Sequence, residues 1–271
     1  MKKPRVYITL IFLLNWINYT GQTIKKAPNN LKFKHFSSKD GLSQSSVIEI
    51  FQDKKGYLWF GTRDGLNKFD GNKFTVYRHN SKDLRSLTHS TVTSIYEDHY
   101  GNLWIGTIDG LNKYNARLDN FTQYKYSEDK PSISDNEIWE ITQIDSSSLW
   151  IATNNGISKL NIKNDKFNHY KKDKKNINSL SDNRTRGLLE ARNGNLWVNT
   201  VKSIDLFDPI NNSFKHYNYP KGNGKESHLN NGAILFNDSK DRIWLGNEQG
   251  LAFFNTKDQT FIQYIYNEKP A

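Results

Sequence analysis

The chain has 271 residues, a formal net charge of +10 and no cysteine. This length is enough for one large all-β domain or two ordinary domains, and the lack of cysteine excludes disulfides, cysteine-ligated zinc and a thiol nucleophile. The positive charge is typical of proteins that meet nucleic acid, an anionic glycan or a membrane surface, but it also fits a lysine-rich, solvated surface. The densest cationic run, Lys171–Lys175, has no interleaved aromatic residues on which bases could stack, so we expect no direct binding of nucleic acid.

Residues 1–22 have the pattern of a secretory signal peptide. The basic stretch MKKPR precedes the apolar segment Val6–Ile17, which Thr9 and Asn15 interrupt, and the polar stretch NYTGQT follows. A membrane-spanning helix needs about 20 apolar residues, so this segment is short for a membrane anchor, although an uncleaved anchor is the alternative. We therefore expect a linker at residues 23–30 and a soluble chain that is exported to the periplasm.

A tryptophan recurs along the chain at spacings of 45, 46, 47 and 47 residues. Each one follows leucine or isoleucine, precedes another apolar residue, and is followed two positions later by glycine, alanine or asparagine. Each unit then closes with the pattern F-x-x-Y, as at Phe121 and Tyr124. The recurring tryptophans are Trp59, Trp104, Trp150, Trp197 and Trp244. A period of about 45 residues is typical of repeat architectures such as propellers.

Each unit divides into four short β-rich runs. In the second unit they read TVTSIYED, LWIGT, LNKYN and FTQYKY, and turn residues such as glycine, asparagine and aspartate lie between them. Four antiparallel strands repeated radially form the blades of a β-propeller. We therefore predict an all-β propeller with five recognisable four-stranded blades within residues 31–266, followed by a tail at residues 267–271. The predicted repeats cover about residues 45–78, 90–125, 136–171, 183–218 and 230–265.

The five recurring tryptophans are predicted to lie in the core between neighbouring blades. Apolar residues flank each of them, so both faces of the strand must be covered, and the small residue two positions later allows the adjacent sheet to approach closely. Trp139 stands outside this pattern because it replaces Ile48 and Thr93 of the first two units. It is therefore our candidate for an exposed ligand contact.

Two of the units resemble a known repeat. The stretches GLSQSSVIEIFQDKKGYLWFGTRDGLNKFDG and SLTHSTVTSIYEDHYGNLWIGTIDGLNKYN are similar to the two-component regulator propeller repeat, and weaker copies extend the resemblance over about residues 31–266. The third unit has DSSS in place of the D-x-x-G turn, the fourth has Asn199 and Ser203 where the pattern has glycine, and the fifth reads LGNEQG. The WD40 and kelch signatures are absent from the sequence.

The resemblance implies the periplasmic sensor region of a hybrid two-component system, a class found mostly in Bacteroidetes. Such inner-membrane regulators carry two seven-bladed propellers and a β-sandwich outside the membrane, followed by a transmembrane helix, a histidine kinase, a receiver and a DNA-binding domain. They detect breakdown products of complex glycans. The expected partners are an oligosaccharide ligand, the missing propeller blades, the downstream sensor domains, and a second copy of the full-length parent. Because the sequence has no kinase motif and no nucleotide-binding glycine loop, we expect no enzymatic activity and no cofactor in this chain.

The sequence leaves open whether the ring of blades closes. The stretch FKHF at Phe33–Phe36 resembles the fourth-strand pattern, yet the last unit keeps its own outer strand, FIQYIY. We favour the interpretation that the chain is an incomplete part of a seven-bladed ring, and the alternative is a five-bladed propeller with a redundant strand. An open arc of blades would expose apolar faces.

The candidate ligand-binding residues lie near the loops that join the second to the third strand of a blade and the loops that join consecutive blades. Polar side chains differ there from blade to blade, which suits binding on a fixed scaffold, although asparagine and aspartate before glycine are also ordinary turn residues. Sugar recognition would need an aromatic platform as well, for which we select Trp139. The predicted ligand-binding residues are Arg63, Asp109, Trp139, Asn154, Arg184, Lys202 and Glu248.

Two other functions are left open by the sequence. A periplasmic propeller can serve as a scaffold for protein interactions, and some bacterial propellers are lyases or hydrolases that place a histidine or paired carboxylates in the channel. The seven histidines here have no recurring acidic partner and no recognisable metal-ligand spacing, and no carboxylate pair can be assigned. We therefore predict no catalytic and no metal-binding residues.

Overall fold

The computed structural model describes residues 32–219, 234–247 and 250–265. The chain divides into two compact units, residues 1–35 and residues 36–271. Of the first unit only residues 32–35 are described, and they have no regular secondary structure. The predicted signal peptide and linker, residues 1–30, and the predicted tail, residues 267–271, lie outside the described residues.

The second unit contains five four-stranded β-sheets in its described part, and a short 3-10 helix, Ser38–Asp40, precedes them. The first sheet has β1 (Val47–Gln52), β2 (Leu58–Thr62), β3 (Gly65–Phe69) and β4 (Phe74–Tyr77). The second has β5 (Val92–Glu97), β6 (Leu103–Thr107), β7 (Gly110–Asn115) and β8 (Asn120–Tyr124). The third has β9 (Ile138–Asp145), β10 (Ser148–Thr153), β11 (Gly156–Asn161) and β12 (Lys166–Tyr170). The fourth has β13 (Thr185–Glu190), β14 (Leu196–Thr200), β15 (Ser203–Asp208) and β16 (Ser213–Asn218), and the fifth has β17 (Ile234–Asn237), β18 (Arg242–Asn247), β19 (Gly250–Asn255) and β20 (Thr260–Ile265).

Each sheet is built from four strands that follow one another in the chain, and neighbouring strands pair antiparallel. The first strands of the sheets contact one another in chain order, from β1 through β5, β9 and β13 to β17. Sheets that are stacked in this way around their first strands are the blades of a β-propeller. The predicted all-β propeller fold with five four-stranded blades is confirmed.

The first three blades approach one another closely at the residue two positions after the tryptophan. A Cβ atom on Gly61 would lie 2.8 Å from Val92 Cγ1 on β5, and one on Gly106 would lie 2.7 Å from Ile138 Cγ2 on β9. Both distances are shorter than carbon atoms tolerate, so a side chain at either glycine would force Val92 or Ile138 to shift. Glycine at this position therefore permits the first strand of the next blade to pack directly on the sheet.

The core lies between the blades in clusters rich in aromatic side chains. Trp59, Trp104, Trp150 and Trp197 are each at most 5% exposed, and each packs with apolar side chains of the next blade. Trp244 of the fifth blade is only partly buried. Its ring stacks on Tyr264 of the same blade, with 6.3 Å between the ring centroids.

A turn aspartate that the sequence analysis did not use orients three of these tryptophans. The indole Nε1 donates to the aspartate six residues earlier over 2.8, 2.9 and 2.8 Å, in the pairs Trp59–Asp53, Trp104–Asp98 and Trp244–Asp238. The same carboxylates also accept backbone N–H groups of the turn. The third blade has a shorter turn with Asp145, and Nε1 of Trp150 is buried there without a hydrogen-bond partner. The fourth blade has Ala191 at the aspartate position.

The first and fifth blades each expose one apolar face. Ile50 on β1 is 62% exposed, whereas its equivalents Ile95 and Ile141 in the next two blades are at most 4% exposed. On the fifth blade, Phe236 is 63% exposed, and a Cβ atom built on Gly246 would have no neighbour within 4 Å. Within the part of the chain that the structure describes, no blade covers either face.

The segment Phe33–Phe36 is not a strand. Residues 32–37 have no regular secondary structure. Phe36 instead packs against Phe69 and Phe74 of the first blade, with ring centroids 5.0 and 5.5 Å apart. The predicted stray outer strand is therefore wrong, because Phe36 takes part in the aromatic packing of the first blade rather than in a sheet.

Candidate functional site

Neighbouring strands of each blade run antiparallel. The loops that join second to third strands and the loops that join consecutive blades therefore lie at the same edge of the propeller. Backbone hydrogen bonds connect the two kinds of loop: the Gly65 N–H donates to the Ser90 carbonyl over 2.8 Å, and the Gly156 N–H donates to the Asn183 carbonyl over 2.6 Å. We name this edge the loop face. It carries the predicted residues Arg63, Asp109, Trp139, Asn154, Arg184 and Lys202, whereas Glu248 lies outside the described residues.

A buried cluster of hydroxyl and amide groups fixes the loops to each of the first three blades. In the first blade the Ser43 N–H donates to Asn67 Oδ1 over 2.7 Å, and the hydroxyls of Ser43 and Thr62 are 2.8 Å apart. The equivalent side chains are Thr88, Thr107 and Asn112 in the second blade and Ser134, Thr153 and Ser158 in the third. Because these buried polar groups satisfy one another, they hold the loop face in one conformation.

The fourth blade contains a carboxylate in this cluster. Asp205 replaces the amide and is fully buried, and burial raises its pKa. The Ser181 N–H donates to Asp205 Oδ2 over 2.8 Å, and Ser203 Oγ donates to Asp205 Oδ1 over 2.6 Å. Ser203 stands where the other blades have glycine, so its hydroxyl supplies a donor that the carboxylate needs.

Asp109 and Arg63 have partners within the first three blades. Asp109 accepts hydrogen bonds from Lys125 Nζ over 2.6 Å and from Asn136 Nδ2 over 3.1 Å. The Arg63 N–H donates to Gln44 Oε1 over 3.2 Å. These two predicted residues belong to hairpins of the first and second blades, whereas the other four described residues belong to the third and fourth blades.

Trp139 lies at a β-bulge, where the pairing of β9 with β10 shifts register between Ile138 and Glu140. Its ring is partly buried and packs against the core cluster between the third and fourth blades. The Arg186 guanidinium covers the ring at 4.1 Å from the centroid, and the indole Nε1 is buried without a hydrogen-bond partner. Trp139 is therefore not the fully exposed residue that was predicted, because Arg186, at the equivalent bulge of β13, extends over it; its role in ligand binding stays a prediction.

Arg186 joins Trp139 to two further polar side chains. Arg186 Nη1 donates to Asn154 Oδ1 over 2.9 Å, and Asn154 Nδ2 donates to Glu137 Oε2 over 2.6 Å. Burial lowers the pKa of Arg186, and the charge of Glu137 acts in the opposite direction. We name Glu137, Trp139, Asn154 and Arg186 the Trp139 cluster. Sequence reasoning found two of its members and missed Arg186, although Arg186 occupies the same repeat position as Trp139.

Arg184 and Lys202 meet at a second acidic residue, Asp182. Arg184 Nε lies 3.2 Å from Asp182 Oδ1, and Lys202 Nζ lies 3.1 Å from Asp182 Oδ2. Burial alone would raise the pKa of Asp182, but the Arg184 N–H and the side chains of Lys202 and Arg184 outweigh it and lower the pKa. Both cationic side chains are more than half exposed, at 56% and 52%. We name Asp182, Arg184 and Lys202 the Asp182 cluster.

Two glutamates on the first strands form a feature that the sequence analysis did not identify. Glu49 on β1 and Glu140 on β9 occupy equivalent positions, opposite Gly61 and Ala152. Ser94, on the strand between them, donates to Glu140 Oε1 over 3.2 Å. Burial raises the pKa of Glu49 to about 6, and burial followed by the negative charge of Glu49 raises the pKa of Glu140 to about 7. These carboxyl groups therefore titrate near neutral pH.

A surface cleft of about 480 Å³ lies at the fourth blade, lined by residues that include Asn178, Phe214 and His216. It contains none of the predicted site residues. Within residues 32–219, 234–247 and 250–265, no three acidic or histidine side chains are grouped so that they could hold a metal ion. The described residues also include no helix of the length and apolar character that a bilayer crossing requires.

The stacked blades and the rigid, polar loop face define a β-propeller of the kind found in bacterial sensor regions. The extracellular domain of a hybrid two-component system from B. thetaiotaomicron superposes with a TM-score of 0.72 at 32% identity, over 86% of this chain and 32% of that one. The extracellular domain of a one-component system from the same organism superposes with a TM-score of 0.69 over 90% of this chain and 34% of that one. Its identity of 23% supports the fold alone. The chain thus spans about a third of the length of these solved relatives.

Residues 41–64 and 86–109 match the family model described as two component regulator propeller. Histidine kinase P4 of Formosa agariphila is 50% identical over 78 residues, which are 29% of this chain and 6% of that kinase. The first two units of the chain are therefore two-component regulator propeller repeats. What the chain matches is the propeller of a sensor region and not a catalytic domain.

Proposed function

We propose that this chain is the ligand-sensing propeller region of a hybrid two-component sensor, and that its ligands are oligosaccharides released from complex glycans. The observation that carries the proposal is the 32% identity, over 86% of the chain, with an extracellular domain of such a system. The similarity to a histidine kinase supports the connection to signalling. The family resemblance supports the glycan as ligand. In this proposal residues 1–22 are a signal peptide that exports the chain to the periplasm, and the parent protein resides in the inner membrane.

The loop face supports binding because it is held by buried hydrogen bonds and because its side chains differ from blade to blade. Asn154 lies on the third blade and Arg186 on the fourth, and the 2.9 Å hydrogen bond between them crosses the blade junction. A ligand seated there contacts two blades at once. Its binding energy would therefore favour one relative orientation of those blades, which is the kind of differential contact that a sensor needs.

An interaction with further protein domains is the second candidate function. It is favoured by the uncovered apolar faces of the first and fifth blades, where Ile50 and Phe236 are 62% and 63% exposed. Large exposed apolar patches mark protein contacts. In this proposal the partners are further propeller blades, the downstream sensor domains and a second copy of the full-length parent.

Thermal shift and isothermal titration calorimetry of the purified mature chain, with a panel of oligosaccharides, test the sensing proposal. We expect at least one oligosaccharide to stabilise the chain, and the double variant Asn154→Ala, Arg184→Ala to bind it at least about tenfold more weakly. Arg117→Ala, in the turn between β7 and β8 at the opposite edge, is the matched control and should bind normally. Failure of every oligosaccharide, together with tight binding to a fragment that supplies further blades, would favour the interaction function instead.

A further inference from the structure

The junction between the third and fourth blades carries more positive than negative charge. The loops and strand starts there contain seven cationic residues and four acidic ones: Lys171, Lys172, Lys174, Lys175, Arg184, Arg186 and Lys202, with Asp135, Glu137, Asp173 and Asp182. Asp182 is shared by two of the cations, at 3.2 and 3.1 Å, and Glu137 bonds Asn154 rather than a cation. The local charge is therefore not balanced by the side chains of the junction.

The same positions are balanced in the first two blades. Arg78, which follows the outer strand of the first blade, lies 3.0 Å from Asp64, and Lys125 of the second blade lies 2.6 Å from Asp109. In the third blade the equivalent cation is Lys171, but the residue before the hairpin glycine is Asn155 instead of aspartate. At the third blade the loop face therefore has one carboxylate fewer than at the first two blades, and it has additional cations nearby.

Two of the cations lie near each other. The proximity of Lys202 lowers the pKa of Lys172, while Asp182 raises the pKa of Lys202. Neighbouring ammonium groups repel each other, and the repulsion is relieved when an anion sits between them. Arg184 adds a planar guanidinium, whose N–H groups match the geometry of a carboxylate or a sulfate group.

We propose that the junction of the third and fourth blades, formed by Lys172, Arg184 and Lys202, binds the carboxylate or sulfate group of an acidic oligosaccharide. The inference rests on the proposed function, which supplies the saccharide, and it adds the charge class of the ligand. The three cations are exposed to solvent, so the anion enters without displacing protein atoms. Their attraction to the ligand is weakened by salt, since exposed charges are screened within about 10 Å at 0.1 M ionic strength.

Two matched pairs of probes test this inference by isothermal titration calorimetry of the mature chain. The first pair is trigalacturonate and its methyl ester, and the second is 3′-sulfolactose and lactose, so that each pair differs in its anionic groups. We expect at least one acidic member to bind more tightly than its neutral partner, and its affinity to fall as salt is raised. The double variant Lys172→Gln, Lys202→Gln should weaken that binding about tenfold, which is reasonable for two partly exposed ion pairs.

The variant Lys163→Gln, Lys166→Gln is the control, because it removes the same charge from the opposite edge of the third blade, at the turn between β11 and β12. It should bind the acidic probe as the unmodified chain does. Equal affinities for the acidic and neutral members of both pairs would overturn the charge preference and leave the sensing proposal intact. Absence of binding by all four saccharides would overturn this inference, whereas the sensing proposal falls only if the whole oligosaccharide panel fails to bind. An equal loss of affinity in the two double variants would show that net charge, rather than this junction, attracts the ligand.

Discussion

Gly106 on β6 lies so close to Ile138 on β9 that a Cβ atom on residue 106 would be only 2.7 Å from Ile138 Cγ2. This contact joins the second blade to the third. The contact of Gly61 with Val92 joins the first blade to the second in the same way, with a corresponding distance of 2.8 Å. Gly61 and Gly106 thus allow the close approach of the first three blades.

The substitution Gly106→Ala should lower the free energy of unfolding by about 2 kcal/mol, because the added methyl group must displace Ile138 or the strand that carries it. Gly246→Ala is the matched control, since a Cβ atom at that position would have no neighbour within 4 Å. We expect the control to change stability by less than about 0.5 kcal/mol. Urea denaturation followed by tryptophan fluorescence measures both, and equal effects would show that the close approach does not limit packing.

Asp98→Ala should destabilise the chain by about 3 kcal/mol. The fully buried Asp98 carboxylate accepts from Trp104 Nε1 over 2.9 Å and from the Asn102 N–H over 2.8 Å. Its removal leaves those donors without a partner, and each unsatisfied buried donor costs about 1–3 kcal/mol. The measurement is again the midpoint and slope of urea denaturation.

Asp145→Ala in the third blade is the comparison for Asp98→Ala. Trp150 Nε1 has no hydrogen-bond partner already, and Asp145 is 40% exposed, so we expect a loss below about 1 kcal/mol. If the two substitutions cost the same, the bond from the indole to the turn aspartate does not contribute as argued.

The Glu140 carboxyl group should make the chain less stable as the pH rises from 4.5 to about 7. Its pKa is raised from 4.5 to about 7 by burial and by the charge of Glu49. Because the folded chain holds this proton more tightly than the unfolded chain, the stabilising effect is fully present below pH 4.5 and is lost as the pH rises through about 7. The shift corresponds to at most about 3 kcal/mol.

Glu140→Gln should remove most of this dependence and raise the stability at pH 8 relative to the unmodified chain. The amide keeps an oxygen that can accept from Ser94 Oγ, as Glu140 Oε1 does over 3.2 Å. Glu128→Gln, at an exposed loop position, is the control and should leave the pH profile unchanged. Denaturation midpoints between pH 4 and pH 8 provide the comparison, and parallel profiles for the Glu140 variant and the unmodified chain would contradict the argument.

The fold was accessible from sequence because the same side chains recur at each blade interface. Trp59 and Trp104 each have a small residue two positions later. The tryptophan and the small residue both follow from one local requirement, because the strand that carries them must be covered on both faces. The turn aspartates were visible in the sequence as well, but their bond to the indole depends on a hairpin that brings Asp98 back beside Trp104.

The candidate site was less accessible because it depends on contacts between blades. Trp139 was identified by its departure from the repeat, yet its burial depends on Arg186, which comes from the next blade and lies 4.1 Å from the ring centroid. Glu49 and Glu140 are two blades apart in sequence, and only the stacking of first strands around Ser94 relates them. A side chain in one repeat does not specify which side chain of another repeat will face it.

The uncovered faces of the first and fifth blades should cause the isolated chain to self-associate. Ile50 is 62% exposed, although its equivalent Ile95 is only 4% exposed against the preceding blade, and Phe236 is 63% exposed on the fifth blade. Burying apolar surface gains about 25 cal/mol for each Å², so two copies gain free energy when these faces meet. We expect multi-angle light scattering of the purified chain to show a mass that increases with concentration.

The double variant Ile50→Ser, Phe236→Ser should shift the chain toward monomer, because it removes apolar surface from both faces. Ile210→Ser is the matched control: Ile210 is 91% exposed but lies in the turn between β15 and β16, away from the blade faces, so the control should associate as before. Addition of a fragment that supplies further blades should also suppress association by occupying the same faces. A monodisperse monomer of the unmodified chain at all concentrations would show that these faces are not adhesive, and would argue against their use as docking surfaces for further blades.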